Sequence, residues 1–397
     1  MEALKARIIE TAEEKAAEYQ EIARQIHAHP EVSNYEFFAC KILSDKLREE
    51  GFEVQVDVAG HRTGFSAVRK SAKPGPVIVF LAEYDALQGL GHGCGHNLFG
   101  AASCLAAVSL ASVLDDVGGE VRVYGTPGEE GGENGSAKGS FVREGFLRDV
   151  DAALCVHPGS GRHIRTDRFI GCAPVDIEFW GKAAHASAAP EQGINALDAL
   201  ILTFNGINAL RQHVTTDVRI HGIITDGGEA PNTVPAYAKG KFYLRAATSS
   251  GMDRLYERVN DIVQGAAAMT GCRGRMQPSQ NRAEPMVLTD SFDDLFVSVM
   301  NELGEEVDEP EKGPKGSSDV GNISQVVPTI QPTLSIHDEK IPAHTEAFRD
   351  AACSEKGMQF IPLSAKAMAI SGLCLIQDPE LLRRIKADHA VQIAHLE

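Results

Sequence analysis

Apolar residues near the start of the chain recur at helical spacing. Leu4, Ile8, Ala12, Ala16, Tyr19, Ile22, Ala23 and Ile26 share one face, which predicts an amphipathic helix over 3–28. His29-Pro30-Glu31 stops it, with His29 and Glu31 read as capping residues of that helix. A second helix is predicted over about 35–50, ending at Gly51, and strands over 53–58, 63–69 and 77–82. Residues 98–114 are small and apolar (Ala101, Ala102, Ala106, Ala107, Ala111), as suits a helix buried against a sheet. Short apolar runs at 121–126, 152–156 and 333–336 read as strands covered on both faces. Alternation of helix and strand through residue 158 predicts an α/β layered domain.

The pattern changes near residue 172. Val175, Ile177 and Phe179 alternate with Asp176, Glu178 and Trp180, predicting a half-exposed strand. A helix over 194–213, strands over 218–225 and 233–246, a helix over 252–270 and a strand over 273–278 complete an α+β insert. The first pattern then returns with a helix over 291–303, an acidic loop over 305–311, a strand, one helix over 347–371 and a final helix over 379–395. The expectation is a discontinuous α/β domain (1–170 and 285–397) with a mixed, largely parallel sheet covered by helices. Residues 171–284 form the inserted domain.

The chain has 397 residues, 43% hydrophobic and 23% charged, ordinary for a globular protein. Its formal net charge of -17 argues against a nucleic-acid partner, which would require a basic patch. The sequence shows no uninterrupted apolar run of about 18 residues, so no membrane association is expected. The charged N-terminus lacks a secretory apolar core, so a cytoplasmic location is expected. Cys40, Cys94, Cys104, Cys155, Cys172, Cys272, Cys353 and Cys374 are scattered without a close pair, which suits reduced thiols better than a disulfide framework.

Candidate chemistry gathers at strand ends. Gly91-His92-Gly93-Cys94-Gly95-His96-Asn97 places a thiol and an imidazole two residues apart in a glycine-rich bend, after the strand at 77–82 and the acidic Glu83 and Asp85. The strand at 121–126 runs into Pro127-Gly128-Glu129-Glu130, that at 152–156 into His157, and that at 333–336 into His337 and then His344. Thiolate, imidazole and carboxylate bind zinc-like metals, and sites in α/β sheets form beyond the carboxyl ends of strands. His92 and His337 each lie beside a stronger candidate and are set aside.

These segments resemble the dinuclear metallopeptidases that include aminoacylase and carboxypeptidase G. Within them the chain is most similar to the amidohydrolases with a Cys-x-His pair, in the aminobenzoyl-glutamate hydrolase and dipeptidase-like group. The resemblance covers nearly the whole chain. It is carried by Ala82-Glu83-Tyr84-Asp85-Ala86-Leu87, His92-Gly93-Cys94-Gly95-His96-Asn97, Gly128-Glu129-Glu130-Gly131 and Val156-His157-Pro158. Gly181-Lys182-Ala183-Ala184-His185-Ala186, Gly316-Ser317-Ser318-Asp319-Val320-Gly321 and Pro342-Ala343-His344 add to it. Two departures stand out: Asn97 where much of the branch has Asp, and Glu83 where other branches place a metal-binding His.

The resemblance implies two divalent metal ions per subunit, zinc or manganese with cobalt or nickel as alternatives, held by Cys94, His96, Glu130, His157 and His344. Cys94 is a candidate to bridge them. Glu129 projects away from its neighbour Glu130 and would be the general base, with Asp85 orienting a ligand. His185 would reach the active site of the other subunit of a homodimer formed through the inserted lid/dimerisation domain. Asn232 and Arg245 would hold the substrate carboxylate. The implied reaction is hydrolysis of the amide bond of a small-molecule N-acyl amino acid or dipeptide-like substrate with a free carboxylate. The rivals are a cysteine amidase using Cys94 with His96 as base, and a non-catalytic metal-dependent binding or scaffold protein.

Overall fold

A computed structural model describes residues 1–313 and 316–396, so Pro314, Lys315 and Glu397 of the third predicted segment lie outside the described residues. The chain resolves into two units. The first comprises Met1–Arg168, Met286–Lys315 and Asp319–His395; the second is built on Phe169–Pro285 and takes in Gly316–Ser318. The strands in chain order begin with β1 (Glu53–Val58), β2 (His61–Lys70), β3 (Val77–Ala82), β4 (Glu120–Gly125), β5 (Ala152–Leu154) and β6 (His157–Gly159). The second unit contributes β7 (Gly171–Trp180), β8 (Arg219–Asp226), β9 (Tyr237–Ala246) and β10 (Arg273–Pro278). The first unit is completed by β11 (Thr329–Ile330) and β12 (Thr333–Ser335).

In the first unit the order β1-β2-β4-β3-β5-β11 forms one sheet, parallel from β4 to β11 and antiparallel at β1 and β2. The predicted strand over 152–156 is broken: β5 stops at Leu154, and β6 pairs with β12 as a separate parallel ribbon. His157 N donates to Pro332 O at 2.9 Å across that break, so the ribbon follows directly on the sheet.

The helices Glu2–Ala28, His96–Val117 and Glu355–Gln377 pack on one another and supply much of the core. The last two are long and apolar enough by composition to cross a membrane, which a search for uninterrupted apolar runs understates. Both are mostly buried inside the fold and serve as core helices. Close approach requires small residues here: a Cβ at Gly372 would lie 2.7 Å from Leu110.

The single helix predicted over 347–371 is two, Glu346–Ala351 and Glu355–Gln377. Ser354 makes the break by accepting a bond from Gly357 N at 2.9 Å, starting a new helix where apolar periodicity alone would continue the old one. Glu31 caps no end of the first helix. It accepts from Phe38 N and Ala39 N and so opens the second, Phe37–Glu49, whereas His29 Nδ1 does lie 2.9 Å from Gln25 O at the first helix's end.

The second unit is an antiparallel sheet of order β10-β7-β9-β8, with the helices Ala196–Leu210 and Ser249–Thr270 completing its core. The predicted half-exposed strand, β7, is buried on both faces except at its last residue. Its carboxylates are covered by cross-strand partners: Asp176 pairs with Lys239 at 2.5 Å, and Glu178 with Arg275 and the Tyr237 hydroxyl, each at 2.7 Å. β8 is an edge strand whose Ile223 and Ile224 are 63% and 45% exposed.

Candidate metal centre and active site

The candidate metal donors stand at or near the ends of regular elements of the first unit. β3 ends at Ala82, and Glu83 and Asp85 follow at its carboxyl end. The bend after them turns at Gly95, in the left-handed region at φ +80, and His96 opens the next helix. A Cβ at Gly95 would approach Pro158 to 3.0 Å, so glycine serves both the turn and the close contact. Gly100 likewise lets that helix approach the Glu83 carbonyl, which an added Cβ would meet at 2.7 Å.

β4 leads to the Gly128 turn, also left-handed, which Glu36 secures. Its Oε1 accepts from Gly128 N at 2.9 Å and its Oε2 from the Thr63 hydroxyl at 2.7 Å. Burial, with Asp85 nearby, pushes the Glu36 carboxyl up to about 8. His157 opens β6. His344 sits at φ +63, an uncommon setting for a residue with a Cβ, and its N–H donates to Gly93 O at 2.8 Å. That bond ties the loop bearing His344 to the loop bearing Cys94.

Among the described residues three sets of donor atoms result, one of them Glu83, His96 and Glu129; the other two share a thiol. Cys94, His96 and His157 converge within 4.8 Å, as do Cys94, Glu130 and His344, and the two sets share the Cys94 sulfur. Cys94 Sγ lies 3.5 Å from His157 Nε2, and His344 Nε2 lies 3.4 Å from Glu130 Oε1. Asp85 bridges the sets: Oδ1 is 2.8 Å from His96 Nδ1, and Oδ2 accepts from Glu130 N at 2.9 Å. His157 Nδ1 is 2.7 Å from Pro158 O, which turns Nε2 towards Cys94.

The electrostatics are those of a site short of positive charge. Burial would raise Glu130, but His344 and His96 outweigh it and bring its carboxyl down to about 2. Glu129 is pushed well above the usual carboxylate range by burial and by the charges of Glu83 and Glu130. Burial, with Glu130, also pushes the Cys94 thiol up. An activated cysteine nucleophile needs the opposite shift, so the arrangement counts against the cysteine amidase.

The donor set fits divalent cations. His96 Nε2 and Glu130 Oε1 are buried without a hydrogen-bond partner, a costly state for polar atoms unless a cation engages them. Mixed sulfur, nitrogen and carboxylate donors suit zinc-like ions. His92 and His337 stay outside both groups: His92 is buried against His27, and His337 Nδ1 is occupied by the Glu339 backbone.

His185, Asn232 and Arg245 belong to the second unit. The structure brings the first two together, since His185 forms a β-bridge with Thr233 and Ala186 N donates to Asn232 O at 2.9 Å. Both side chains are exposed. His185 Nδ1 accepts from Ser187 N and Ala188 N, at 3.3 and 3.2 Å. Arg245 is engaged elsewhere, donating from Nη1 to the Ser317 hydroxyl at 2.7 Å and lying over Tyr243.

Asn97 is structural. Its Nδ2 donates to Ala23 O and Ala352 O inside the core, which an ionised Asp could not do. Sequence reasoning missed Glu36, Lys138 and the part played by Asp319. Lys138 is fully buried and lies 2.7 Å from Glu83 and 2.5 Å from Asp319. The only signal was an acid at position 83 and another in the Gly316–Gly321 motif, with nothing to join them.

The family profile described as a peptidase dimerisation domain matches residues 171–269. The Xaa-Arg dipeptidase of Homo sapiens is 31% identical over 99% of this chain and 93% of its own length. A p-aminobenzoyl-glutamate hydrolase polypeptide of Escherichia coli (strain K12) is 40% identical over 64% of this chain and 56% of its own length. The fold matches that of an aminobenzoyl-glutamate utilization protein from Klebsiella pneumoniae, with a TM-score of 0.70 at 22% identity, covering 89% of this chain and 97% of that one. With a likeness that spans the whole chain and two donor sets sharing one thiol, the protein belongs to the dinuclear metallopeptidase and amidohydrolase family, close to its aminobenzoyl-glutamate hydrolases and dipeptidases.

Proposed function

We propose that this metal-dependent amidohydrolase cleaves the amide bond of small N-acyl amino acids or dipeptides that carry a free carboxylate, with Glu129 as general base. The observation that supports it is the pair of donor sets sharing Cys94, with a partly accessible carboxylate, Glu129, next in sequence to one donor. One ion would be held by Cys94, His96 and His157 and the other by Cys94, Glu130 and His344; zinc and manganese both suit these donors. Such ions, when bound, lower the pKa of water and polarise a carbonyl. Glu129 accepts the proton released from the attacking water and passes it to the departing nitrogen. Burial and the neighbouring carboxylates raise its proton affinity, which favours the first of these steps, taking the proton from water.

The substrate carboxylate would be met in the second unit by the Arg245 guanidinium, whose planar fork matches a carboxylate, and by the Asn232 amide. His185 would serve the opposite subunit of a homodimer. The exposed isoleucines of edge strand β8 support pairing between two copies of this unit.

Metal content per subunit, measured with hydrolysis of a panel of p-aminobenzoyl-glutamate, Xaa-Arg dipeptides and N-acetyl amino acids, tests the reading. Two ions and chelator-sensitive cleavage of one class are expected. Glu129→Gln should lower turnover by about 10²–10⁴-fold with metal and dimer retained, and retained turnover removes Glu129 from the mechanism.

A further inference from the structure

Glu83 lies against the metal centre yet outside the five-residue set. It stands immediately after β3 and is fully buried. Its Oε2 faces His96 Nε2 at 3.2 Å. Asp85 Oδ1 engages the other ring nitrogen, Nδ1, at 2.8 Å, so Nε2 is the atom left for a ligand. The ring nitrogen and a carboxylate oxygen thus face each other in the interior, and neither atom has a hydrogen-bond partner.

A cation between them would satisfy both buried atoms at once. The spacing suits one. Nitrogen and oxygen donors each about 2.1 Å from one ion, at right-angle to tetrahedral spread, lie about 3.0–3.4 Å apart. Glu83, His96 and Glu129 also present donor atoms within 4.8 Å of one another.

The other oxygen of Glu83 is already occupied. Lys138 Nζ lies 2.7 Å from Oε1 and is itself held by Asp319 Oδ1 at 2.5 Å. This clamp fixes the carboxylate plane and leaves Oε2 pointing at His96. We infer that Glu83 Oε2 is a further protein ligand of the ion bound at His96 Nε2, with Lys138 and Asp319 as its positioning residues. The inference rests on the two-metal reading above. It makes the two sites unequal. The ion at His96 and Glu83 has two fully buried donors, one of them anionic, and loads first. The ion at Glu130 and His344, with His344 open to solvent, loads second.

The test uses the full chain, stripped with a chelator and titrated with zinc against a chromophoric competitor, as wild type and as Glu83→Gln. The variant keeps the side-chain volume and the Lys138–Asp319 pair. Two ions are expected in the wild type. In Glu83→Gln the tighter site should weaken at least about tenfold and the looser one stay within about threefold. The absorption spectrum of the first cobalt(II) ion taken up should change and that of the second should not. Unchanged zinc affinity with an unchanged first cobalt spectrum overturns the inference and leaves the two-metal reading intact. A wild-type chain that takes up no ion overturns both. Should Glu83→Gln fail to fold, Glu83→Asp keeps a charge for Lys138 and withdraws the oxygen by one methylene. The same selective loss is expected there, and unchanged affinity overturns the inference.

Discussion

Removing the Lys138 ammonium should destabilise the metal-free protein more than any surface change, and by an amount that pH controls. Lys138, Glu83 and Asp319 are all fully buried, and one ammonium contacts both carboxylates. Burial alone would raise Glu83, but Lys138 and His96 outweigh it and hold its carboxyl below the ordinary range. Asp319 is raised by burial, with Lys138 opposing the rise.

In Lys138→Met neither acid keeps its cation. Breaking a buried ion pair from one side costs about 3–5 kcal/mol. The cost has a ceiling, because a stranded carboxylate can take a proton instead. At pH 7, protonating a carboxyl whose unfolded pKa is near 4.3 requires about 4 kcal/mol, at about 1.4 kcal/mol per pH unit. At pH 5 the same step requires only about 1 kcal/mol. The sign follows: Glu83, with its folded pKa depressed, contributes stability above the unfolded carboxylate pKa and loses it as pH falls. Denaturant unfolding of chelator-treated wild type and Lys138→Met, followed by far-ultraviolet circular dichroism, should show a loss of about 3–5 kcal/mol at pH 7 that shrinks towards about 1–2 at pH 5. Adding Glu83→Gln and Asp319→Asn to the variant should recover most of the loss at pH 7. A loss below about 1 kcal/mol at pH 7, or one that grows on acidification, refutes the account of these three residues as a compensated buried triad.

Asp85→Asn leaves an acceptor for His96 but can turn an amide N–H towards Glu130 N. Zinc competition should show affinity lower by about 10–100-fold with the fold retained. Asn97→Asp loses the two bonds to Ala23 O and Ala352 O. It should cost about 2–3 kcal/mol in denaturant unfolding at pH 8 and less at pH 5, where a protonated Asp recovers one donor. Asp293 is buried, and burial lifts its carboxyl to about 6 although Thr166 donates to it twice. Its folded value lies above its unfolded one, so its ionisation costs stability as pH rises from about 4 to 6. Both Thr166 bonds fall on Oδ1, which Asn retains. Asp293→Asn should therefore gain up to about 3 kcal/mol at pH 8 and nothing at pH 4, and an equal gain at both pH values would refute the assignment.

The convergence of the candidate donors was legible because each is placed by its own stretch of chain. Cys94 and His96 sit on a bend whose glycines are visible in the sequence, and Glu129 and Glu130 follow a strand and Gly128. An apolar run leads into His157. The misreadings come from groups placed by distant neighbours. Alternation in β7 correctly separates its faces, but exposure depends on what covers them, and Lys239 and Arg275 belong to other strands. The break at Ser354 was hidden because apolar residues continue on both sides of it, while the cap is a single hydroxyl.

Glu83 shows why donor identity and donor role separate in such a site. From the sequence it is an acid where a histidine could ligate, and the simplest conclusion removes the position from the metal. In the fold, position 83 still faces His96, because the strand end and the helix start are brought together by Gly100. What an acid adds is a charge that the interior must balance, and Lys138, from a short helix after the Glu129 turn, balances it. Asp319 then holds Lys138 from the far part of the chain. A histidine at 83 would need neither partner. The buried ammonium and its second carboxylate thus follow physically from the acid at 83, and substitutions at the three positions should be coupled in stability even where each alone leaves the five donors untouched.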